Sequence, residues 1–278
     1  MVYSAVSNGY LKGFAEGRIF TGKTKGACFP GLNCYSCPGA LAACPIGALQ
    51  AELTEQGFRF PFYALGFLTV FAALFGRVVC GFLCPFGLFQ DLLDKIPFSK
   101  KIKRLPGEKI LRMGKFVMLI LFVILLPMLV LDIVGQGSPW FCKYICPSGT
   151  LSGAFLLIKN PLLRNTLGFL YAWKMFILVG ITLLSIVLYR PFCRYLCPLG
   201  GFYGIFNPIS LFRYRIEEKD CIHCGVCEKT CPFEIPVYDK SNAIDCIRCG
   251  RCVDACPTGC IRVVKPFVAE KKKETQKA

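Results

Sequence analysis

The sequence predicts a mainly α-helical membrane domain with about three spanning helices and several re-entrant half-helices, followed by a small α+β domain. Composition is the first reason. Of the 278 residues, 54% are hydrophobic and 25 are Phe, and the mean hydropathy is +0.52. These values exceed what the core of a soluble protein of this length requires. The second reason is a change after position 212, where long apolar stretches end and short Cys-rich segments begin.

We therefore divide the chain into a membrane domain over 1–212, a small domain over 213–266 and a basic tail over 267–278. The last nine residues of the tail are polar or charged except for Ala278. Because nothing apolar could anchor this segment, we predict that it is disordered.

Three apolar stretches are candidates for crossing a bilayer core of about 30 Å. They cover 60–76, 116–134 and 167–189. Asp132 and Lys174 are the charged residues within them. A charge at membrane depth is by default a functional hypothesis, but one near a helix end can also reach water with its side chain. Both interpretations stay open for these two residues.

Four shorter apolar segments each follow a Cys-Pro pair and are too short to span a membrane. They cover 48–53, 87–93, 151–158 and 201–206. We predict that they are re-entrant half-helices. Broken helices of this kind are tolerated at membrane depth only where they are buried or line a site. A further interfacial helix near 2–14 would alter the number of crossings.

The charge distribution favours a membrane over nucleic acid as the partner. The chain has 33 Lys and Arg against 17 Asp and Glu, a formal net charge of +16. Nine of the basic residues lie in the loop from Arg77 to Lys115. The positive-inside rule makes that loop, and the small domain on the same face, cytoplasmic. We predict a multi-pass protein of the cell membrane without a nucleic-acid partner.

Cysteine is the residue that carries the chemistry. The chain has 19 Cys and a single His, His223. One His disfavours haem held by two His, His-rich zinc sites and a catalytic triad. The odd number of Cys and the absence of a cleavable signal peptide disfavour an exported disulfide framework. Thiolate ligands for metal clusters are the better interpretation.

Two runs in the small domain share the spacing C-x2-C-x2-C-x3-C-P, namely CIHCGVCEKTCP over 221–232 and CIRCGRCVDACP over 246–257. In bacterial two-cluster ferredoxins, three Cys of such a run hold one [4Fe-4S] cluster and the fourth reaches the other cluster. The predicted ligand sets are Cys221, Cys224, Cys227 and Cys256 for one cluster, and Cys246, Cys249, Cys252 and Cys231 for the other. Two zinc knuckles are the alternative. We expect the additional Cys260 to pack and not to ligate.

The membrane domain contains an internal repeat of the form C-x3-C-P-x-G. Its three complete copies are Cys80 with Cys84, Cys142 with Cys146, and Cys193 with Cys197. A fourth, degenerate copy lies at Cys44, and its nearest upstream Cys is Cys37. Two Cys four residues apart share one side of a helical turn, and Pro suits the first position of the next helix. The positive end of that helix then points at an anionic cluster.

One span between consecutive copies would place alternate copies on the same face of the membrane. We therefore predict a third cluster bound by Cys80, Cys84, Cys193 and Cys197. A fourth cluster would use Cys142 and Cys146 with two among Cys28, Cys34, Cys37 and Cys44, and the sequence leaves that last pair open. In the alternative, Cys28, Cys34, Cys37 and Cys44 form a self-contained site, which leaves Cys142 and Cys146 as a thiol pair or disulfide.

Three segments and the Cys runs that follow them resemble the NapH/MauN-type membrane polyferredoxins. The segments are CYSCPGALAACPIGALQ, RVVCGFLCPFGLFQDLL and RPFCRYLCPLGGFYG. The resemblance covers nearly the whole chain from Cys28 to Val264. This chain has three C-x3-C-P copies where the family pattern has two, and a first span before Cys28 is absent or very short. The resemblance implies the electron-transfer subunit of an oxidoreductase complex.

These observations predict a membrane-bound protein that relays electrons across the membrane through four [4Fe-4S] clusters. The expected donor is a cytoplasmic ferredoxin or flavoprotein, and the expected acceptor is a quinone or an exported flavin or haem partner. A redox-sensing regulatory or maturation protein without sustained electron flux is the alternative. The sequence contains no Walker loop, GxSxG, HExxH or dinucleotide fingerprint. We therefore expect any flavin or nicotinamide to be bound by a partner.

Overall fold

The computed structural model describes residues 2–54, 60–98, 101–133, 136–159 and 168–264. The predicted basic tail over 267–278 lies outside the described residues. Within the described part, the chain is mostly helical and contains one two-stranded sheet.

Three apolar helices form the membrane half. Two of the helices in the described part are long and apolar enough to cross a membrane, Glu108–Leu129 and Phe169–Val187. We call them the second and third apolar helices. The first apolar helix, Phe62–Phe75, is also apolar but has only 14 residues. Large apolar side chains on these helices are exposed, as expected for surfaces that contact lipid.

The second apolar helix begins and ends earlier than the predicted span over 116–134. It starts after Gly107, whose φ of 73° is in the left-handed region. Charged side chains of its first turns are paired within the protein, as Arg112 is with Glu108, so this polar stretch can join the helix. The backbone leaves the helix at Val130. Asp132 therefore lies beyond the helix, which corrects the prediction that it lies inside a span.

The four half-helices form where the sequence predicts helices. Each begins at the Pro that follows a Cys, and they comprise Pro45–Leu53, Pro85–Asp94, Pro147–Lys159 and Pro198–Phe206. The complete repeats add a short preceding helix, and these are Val78–Phe82, Phe141–Ile145 and Pro191–Tyr195. One Cys of each C-x3-C pair lies in the short helix, and the second lies at the break before the half-helix.

The amino-terminal segment forms two short helices, Val2–Ser7 and Leu11–Glu16, where the sequence suggested one interfacial helix. A 3-10 turn over Lys23–Gly26 follows. An isolated parallel bridge then pairs Cys28 with Ala43. This bridge closes the Cys-rich loop that precedes the first half-helix.

The small domain is closed by strands at its two ends. β1 (Arg213–Ile216) pairs antiparallel with β2 (Ile261–Val264), with Arg213 opposite Val264. Between them lie a 3-10 turn and two short helices, which are Glu218–Asp220, Val226–Thr230 and Arg251–Asp254. Phe233, Ile235 and Ile247 of this domain belong to the same hydrophobic core as the membrane half. The two parts of the protein are therefore packed against each other.

Candidate metal centres

The structure brings 16 of the 19 Cys together in four groups of four. The distal quartet is Cys221, Cys224, Cys227 and Cys256, and the proximal quartet is Cys231, Cys246, Cys249 and Cys252. The central quartet is Cys80, Cys84, Cys193 and Cys197, and the terminal quartet is Cys34, Cys44, Cys142 and Cys146. The three other Cys are Cys28, Cys37 and Cys260.

Each quartet of the small domain lines one small pocket. Each pocket takes three Cys from one run and the fourth Cys from the other run, which is the exchange that the spacing predicts. The distal quartet lies at the surface, since Cys224 is exposed. The proximal quartet is more enclosed and includes the buried Cys252.

The central quartet combines two C-x3-C pairs that are more than 100 positions apart in the sequence, and its four Cys are buried. Hydrogen-bond donors surround the sulfur atoms. Gln90 Nε2 lies 3.1 Å from Cys193 Sγ, and the Leu32 N–H donates to Cys84 Sγ at 3.4 Å. Another N–H, from the first turn of the half-helix after Cys197, donates to that sulfur at 3.4 Å. Such donors stabilise a thiolate over a thiol.

The terminal quartet answers the question that the sequence leaves open. Cys34 and Cys44 are the two that join Cys142 and Cys146, and the four line one cavity of about 530 Å³. Cys44 and Cys146 are buried, and Cys34 and Cys142 are half-buried. The structure thus brings together the thiols that the self-contained alternative would separate.

Cys28 and Cys37 lie elsewhere. The Cys28 N–H donates to Tyr63 Oη at 3.1 Å beside the first apolar helix. The Cys37 Sγ lies 3.6 Å from Asn8 Oδ1 in the amino-terminal segment. Neither residue lines the cavity of the terminal quartet.

The thiols of the terminal quartet are in a desolvated site. Burial raises the pKa of Cys142 well above that of a free thiol, and the charges of Cys146, Cys44 and Cys34 raise it further. Burial, followed by the charge of Cys34, raises the pKa of Cys146 to about 12. Four such thiols can ionise together only if positive charge lies among them, and the irons of a cluster supply it. Lys174, the predicted intramembrane charge, is adjacent, with Nζ 3.3 Å from the Cys142 carbonyl oxygen.

A quartet of thiols is the usual ligand set of a [4Fe-4S] cluster. Within the described ranges, no three His, Cys, Asp or Glu side chains come close enough together to hold one metal ion. A single zinc ion needs four sulfurs about 2.3 Å from one centre. A [4Fe-4S] cubane offers one iron to each thiolate and so holds its ligands farther apart. The buried quartets with nearby N–H donors fit that group.

A buried ionic network joins the membrane half to the small domain. Arg77 is fully buried, and its Nη2 donates to the Cys193 carbonyl at 2.9 Å. Its Nη1 lies 3.3 Å from Asp245 Oδ1. Lys115 and Arg112 also pair with Asp245. One carboxylate next to the proximal quartet is thereby tied, through Arg77, to a backbone carbonyl of the central quartet.

The charge state of Asp245 follows from these partners. Burial alone would raise the pKa of its carboxyl, but the cations Arg77, Lys115 and Arg112 lower the pKa to about 2. The carboxylate is therefore ionised at neutral pH and balances part of the buried positive charge.

Direct backbone contacts continue this connection between quartets. A Cβ built on Gly81 would lie 2.8 Å from the carbonyl oxygen of Ile247, so only glycine allows this approach beside Cys80 and Cys246. On the other side, Leu32 contacts Cys84 and stands two positions before Cys34 of the terminal quartet. The proximal and terminal quartets are therefore both linked to the central quartet by contacts of neighbouring residues.

Sequence reasoning missed two buried arginines, although one signal was present. Arg77 and Arg190 each precede a complete repeat, in RVVC and RPFC. Arg190 is buried, pairs with Asp91 and donates to the Cys80 carbonyl at 2.6 Å. Part of the positive charge that the sequence assigns to membrane orientation is thus used inside the protein.

Comparison with known proteins identifies the family. A family model described as a 4Fe-4S binding domain matches residues 57–106, 115–164 and 171–217, together more than half of the chain. Each match contains one complete C-x3-C-P copy. A model described as a 4Fe-4S dicluster domain matches residues 213–257. The chain belongs to the NapH/MauN-type membrane polyferredoxins.

Three relatives illustrate the range of this polyferredoxin's similarity. An uncharacterised protein of Methanocaldococcus jannaschii is 34% identical over 178 residues, which is 62% of this chain and 57% of the relative. The methylamine utilization ferredoxin-type protein MauN of Paracoccus denitrificans is 28% identical over 56% of this chain and 48% of its own. YccM of Escherichia coli, whose name assigns it to electron transport, is 41% identical over 22% of this chain and 18% of its own.

The polyferredoxin spans less than two thirds of the length of these relatives. No solved structure matches it. The family matches show that the chain is built from domains that bind [4Fe-4S] clusters. The two long apolar helices in the described part of the chain agree with a membrane protein.

Proposed function

We propose that the polyferredoxin binds four [4Fe-4S] clusters, one in each quartet, and relays electrons along them in the order distal, proximal, central and terminal. The observations that carry this proposal are contacts at each step between quartets. Cys252 of the proximal quartet packs in one hydrophobic cluster with Cys221 and Cys227 of the distal quartet. Arg77 and Gly81 link the proximal and central quartets. Leu32 links the central and terminal quartets. Each cluster, when bound, would accept and release one electron.

The relay crosses the membrane in this proposal. A hydrocarbon core of about 30 Å is too wide for one rapid electron hop, and intermediate clusters divide the distance. The positive-inside rule places the ferredoxin domain in the cytoplasm, where a reduced ferredoxin or flavoprotein would donate to the exposed distal quartet. The terminal quartet then lies toward the opposite face. Its acceptor would be a quinone or an exported flavin or haem protein.

The cavity of the terminal quartet supports an acceptor at this end. Its volume is about 530 Å³, compared with about 20 Å³ for each of the two pockets that the distal and proximal quartets line. The larger cavity therefore has room beyond that of a cluster cradle. Its size falls within the usual range for small-molecule sites, about 300–1,000 Å³.

The side chains around each quartet would set the reduction potential of its cluster. Gln90 and the N–H groups that contact the central sulfurs stabilise negative charge there. Lys174 supplies a positive charge beside the terminal quartet. Arg77 supplies one between the central quartet and the ferredoxin domain. Positive charge and N–H donors both favour the reduced cluster.

Proteoliposomes test the relay directly. We would enclose ferricyanide, which does not cross the membrane, and add dithionite-reduced ferredoxin outside. The proposal predicts that the wild-type protein reduces the enclosed ferricyanide, whereas Cys146→Ala, which lacks a terminal ligand, does not. The variant should still take electrons from the donor into its ferredoxin domain. Absence of transmembrane reduction by fully loaded wild-type protein would overturn the relay and favour a redox sensor.

Metal analysis tests the number of clusters independently. Four cubanes predict about 16 irons and about 16 sulfides per chain in anaerobically purified protein. About eight irons would restrict the clusters to the ferredoxin domain. Stoichiometric zinc would contradict the proposal altogether.

A further inference from the structure

The pocket of the distal quartet is lined by five Cys, one more than a [4Fe-4S] cluster binds. Cys260 lines it together with the four Cys of the distal quartet. Its Sγ lies 3.5 Å from Cys256 Sγ, and its side chain also contacts Cys221. By contrast, the proximal pocket is lined by four Cys, those of the proximal quartet. The sequence spacing predicted only that Cys260 is a packing residue.

Cys260 is more deeply buried than Cys256 and lies beside the sheet. Cys260 immediately precedes β2, and its carbonyl accepts a hydrogen bond of 2.9 Å from the Glu217 N–H just after β1. Its side chain is only 4% exposed. Cys256 lies in an irregular segment beyond a four-residue helix and is partly exposed. The more deeply buried thiol is therefore the one without an assigned iron.

We propose that Cys260 is a reserve ligand for the distal cluster, an inference that rests on the proposed assignment of Cys221, Cys224, Cys227 and Cys256 to that cluster. In the exchange, the bond between iron and Cys256 Sγ breaks and a bond between the same iron and Cys260 Sγ forms. The thiol proton of Cys260 passes to the released Cys256 thiolate. No electron is transferred, and the total charge of the site is unchanged.

A reserve ligand matters most at this end of the relay. The distal quartet is the one at the surface, with Cys224 exposed, so its cluster is the most accessible to oxidants. A [4Fe-4S]²⁺ cluster that gives one electron to an oxidant and lacks its fourth thiolate releases Fe²⁺ and leaves [3Fe-4S]⁺. A second thiolate within reach of the same iron opposes that loss.

Two matched variants test the proposal by electron paramagnetic resonance and iron content of the purified protein. Cys256→Ala should retain the full iron content and show no [3Fe-4S] signal, because Cys260 replaces the missing ligand. Cys231→Ala removes the equivalent ligand of the proximal quartet, which has no spare thiol in its pocket, and should lose one iron. A [3Fe-4S] signal of equal intensity in both variants would overturn the reserve-ligand proposal.

The control also separates this proposal from the ligand assignment. If Cys231→Ala keeps all its iron, the proposed ferredoxin ligand sets are wrong, whatever Cys256→Ala shows. The double variant Cys256→Ala/Cys260→Ala should behave as Cys231→Ala does. An intact distal cluster in the double variant would show that the retained ligand is not Cys260.

If Cys256→Ala cannot be purified, Cys260→Ala provides a second test, because it keeps all four assigned ligands of the distal cluster. Cys260→Ala should purify with the wild-type iron content. Titrated with the one-electron oxidant ferricyanide, it should form the [3Fe-4S] signal at least several-fold faster than the wild type. Equal rates in the two proteins would contradict the proposal.

Discussion

The ferredoxin domain and the membrane half build the same kind of four-thiol site in opposite ways. In the ferredoxin domain, two runs of 12 residues supply both quartets, and the exchange of one Cys between runs is the only long-range requirement. In the membrane half, each quartet joins pairs or single Cys that are about 100 residues apart. A short run can therefore specify the first kind of site, whereas the second kind exists only when the helices are packed.

The surroundings of the quartets differ in the same sense. The distal quartet is partly open to solvent, while the central quartet lies in the main hydrophobic core among fully buried cations. Burying thiolates and cations together is costly unless each is paired. The membrane quartets should therefore depend on partners distant in sequence, such as Arg77, and the distal quartet should not.

The largest expected effect is a difference in iron content between variants of Cys34 and Cys37, which are three positions apart. Cys34→Ser should disrupt one cluster, with a loss of at least one iron per chain, because it removes a thiolate of the terminal quartet. Cys37→Ser should leave the iron content at the wild-type value, since Cys37 lies outside the cavity. Iron analysis of the two purified variants measures the difference. Loss of iron in the Cys37 variant alone would reverse our assignment of the open pair.

A smaller effect, on stability, is expected at the interface between the ferredoxin domain and the membrane half. Asp245→Ala leaves three buried or half-buried cations without their shared carboxylate. Removal of one member of a buried ionic network typically costs about 3–5 kcal/mol. We expect a lowered thermal midpoint in detergent and faster proteolytic release of the ferredoxin domain.

An exposed ion pair across the same interface provides the control. Arg104 pairs with Glu234, and its side chain is 59% exposed. Arg104→Ala should change the free energy of unfolding by no more than about 1 kcal/mol. Equal destabilisation by Asp245→Ala and Arg104→Ala would show that the buried network does not hold the two regions together.

The smallest expected effect is on a redox potential. Gln90 donates to Cys193 Sγ, so Gln90→Leu should lower the midpoint potential of the central cluster. A strengthening of this bond by about 1 kcal/mol on reduction corresponds to roughly 40 mV for one electron. Gln50, also buried, contacts the backbone at Phe122 and Cys142 and no sulfur. Gln50→Leu should leave the central potential unchanged in the same redox titration, and an equal shift would contradict this role for Gln90.

The sequence could predict those features that depend on spacing. The half-helices follow from Cys-Pro pairs, and the grouping of the ferredoxin Cys follows from two complete runs. The pairing of the Cys80 and Cys193 repeats follows from counting the apolar stretches between them. Each of these features depends either on neighbouring residues or on whether the number of membrane crossings between two repeats is odd or even. Both can be counted in the sequence.

The choice of Cys34 and Cys44 could not be predicted in this way. Four Cys compete within 17 residues, and no spacing rule distinguishes them. The fold decides, because the bridge at Cys28 and the contact of Cys37 with the amino-terminal segment direct those two thiols elsewhere. The same holds for Asp245, whose partners lie 130 or more positions away. The helical start at Glu108 was missed because its charges are paired inside the protein.

The assembly of each membrane quartet from distant repeats is the central claim, and spectra of three single variants test it most directly. Cys80→Ser and Cys197→Ser each remove a thiolate of the central quartet, and serine oxygen is a poorer ligand for these irons. The two variants should lose the same paramagnetic signal, while Cys146→Ser should lose a different one. Loss of one common signal in the Cys80 and Cys146 variants, with the Cys197 variant unaffected, would contradict the account.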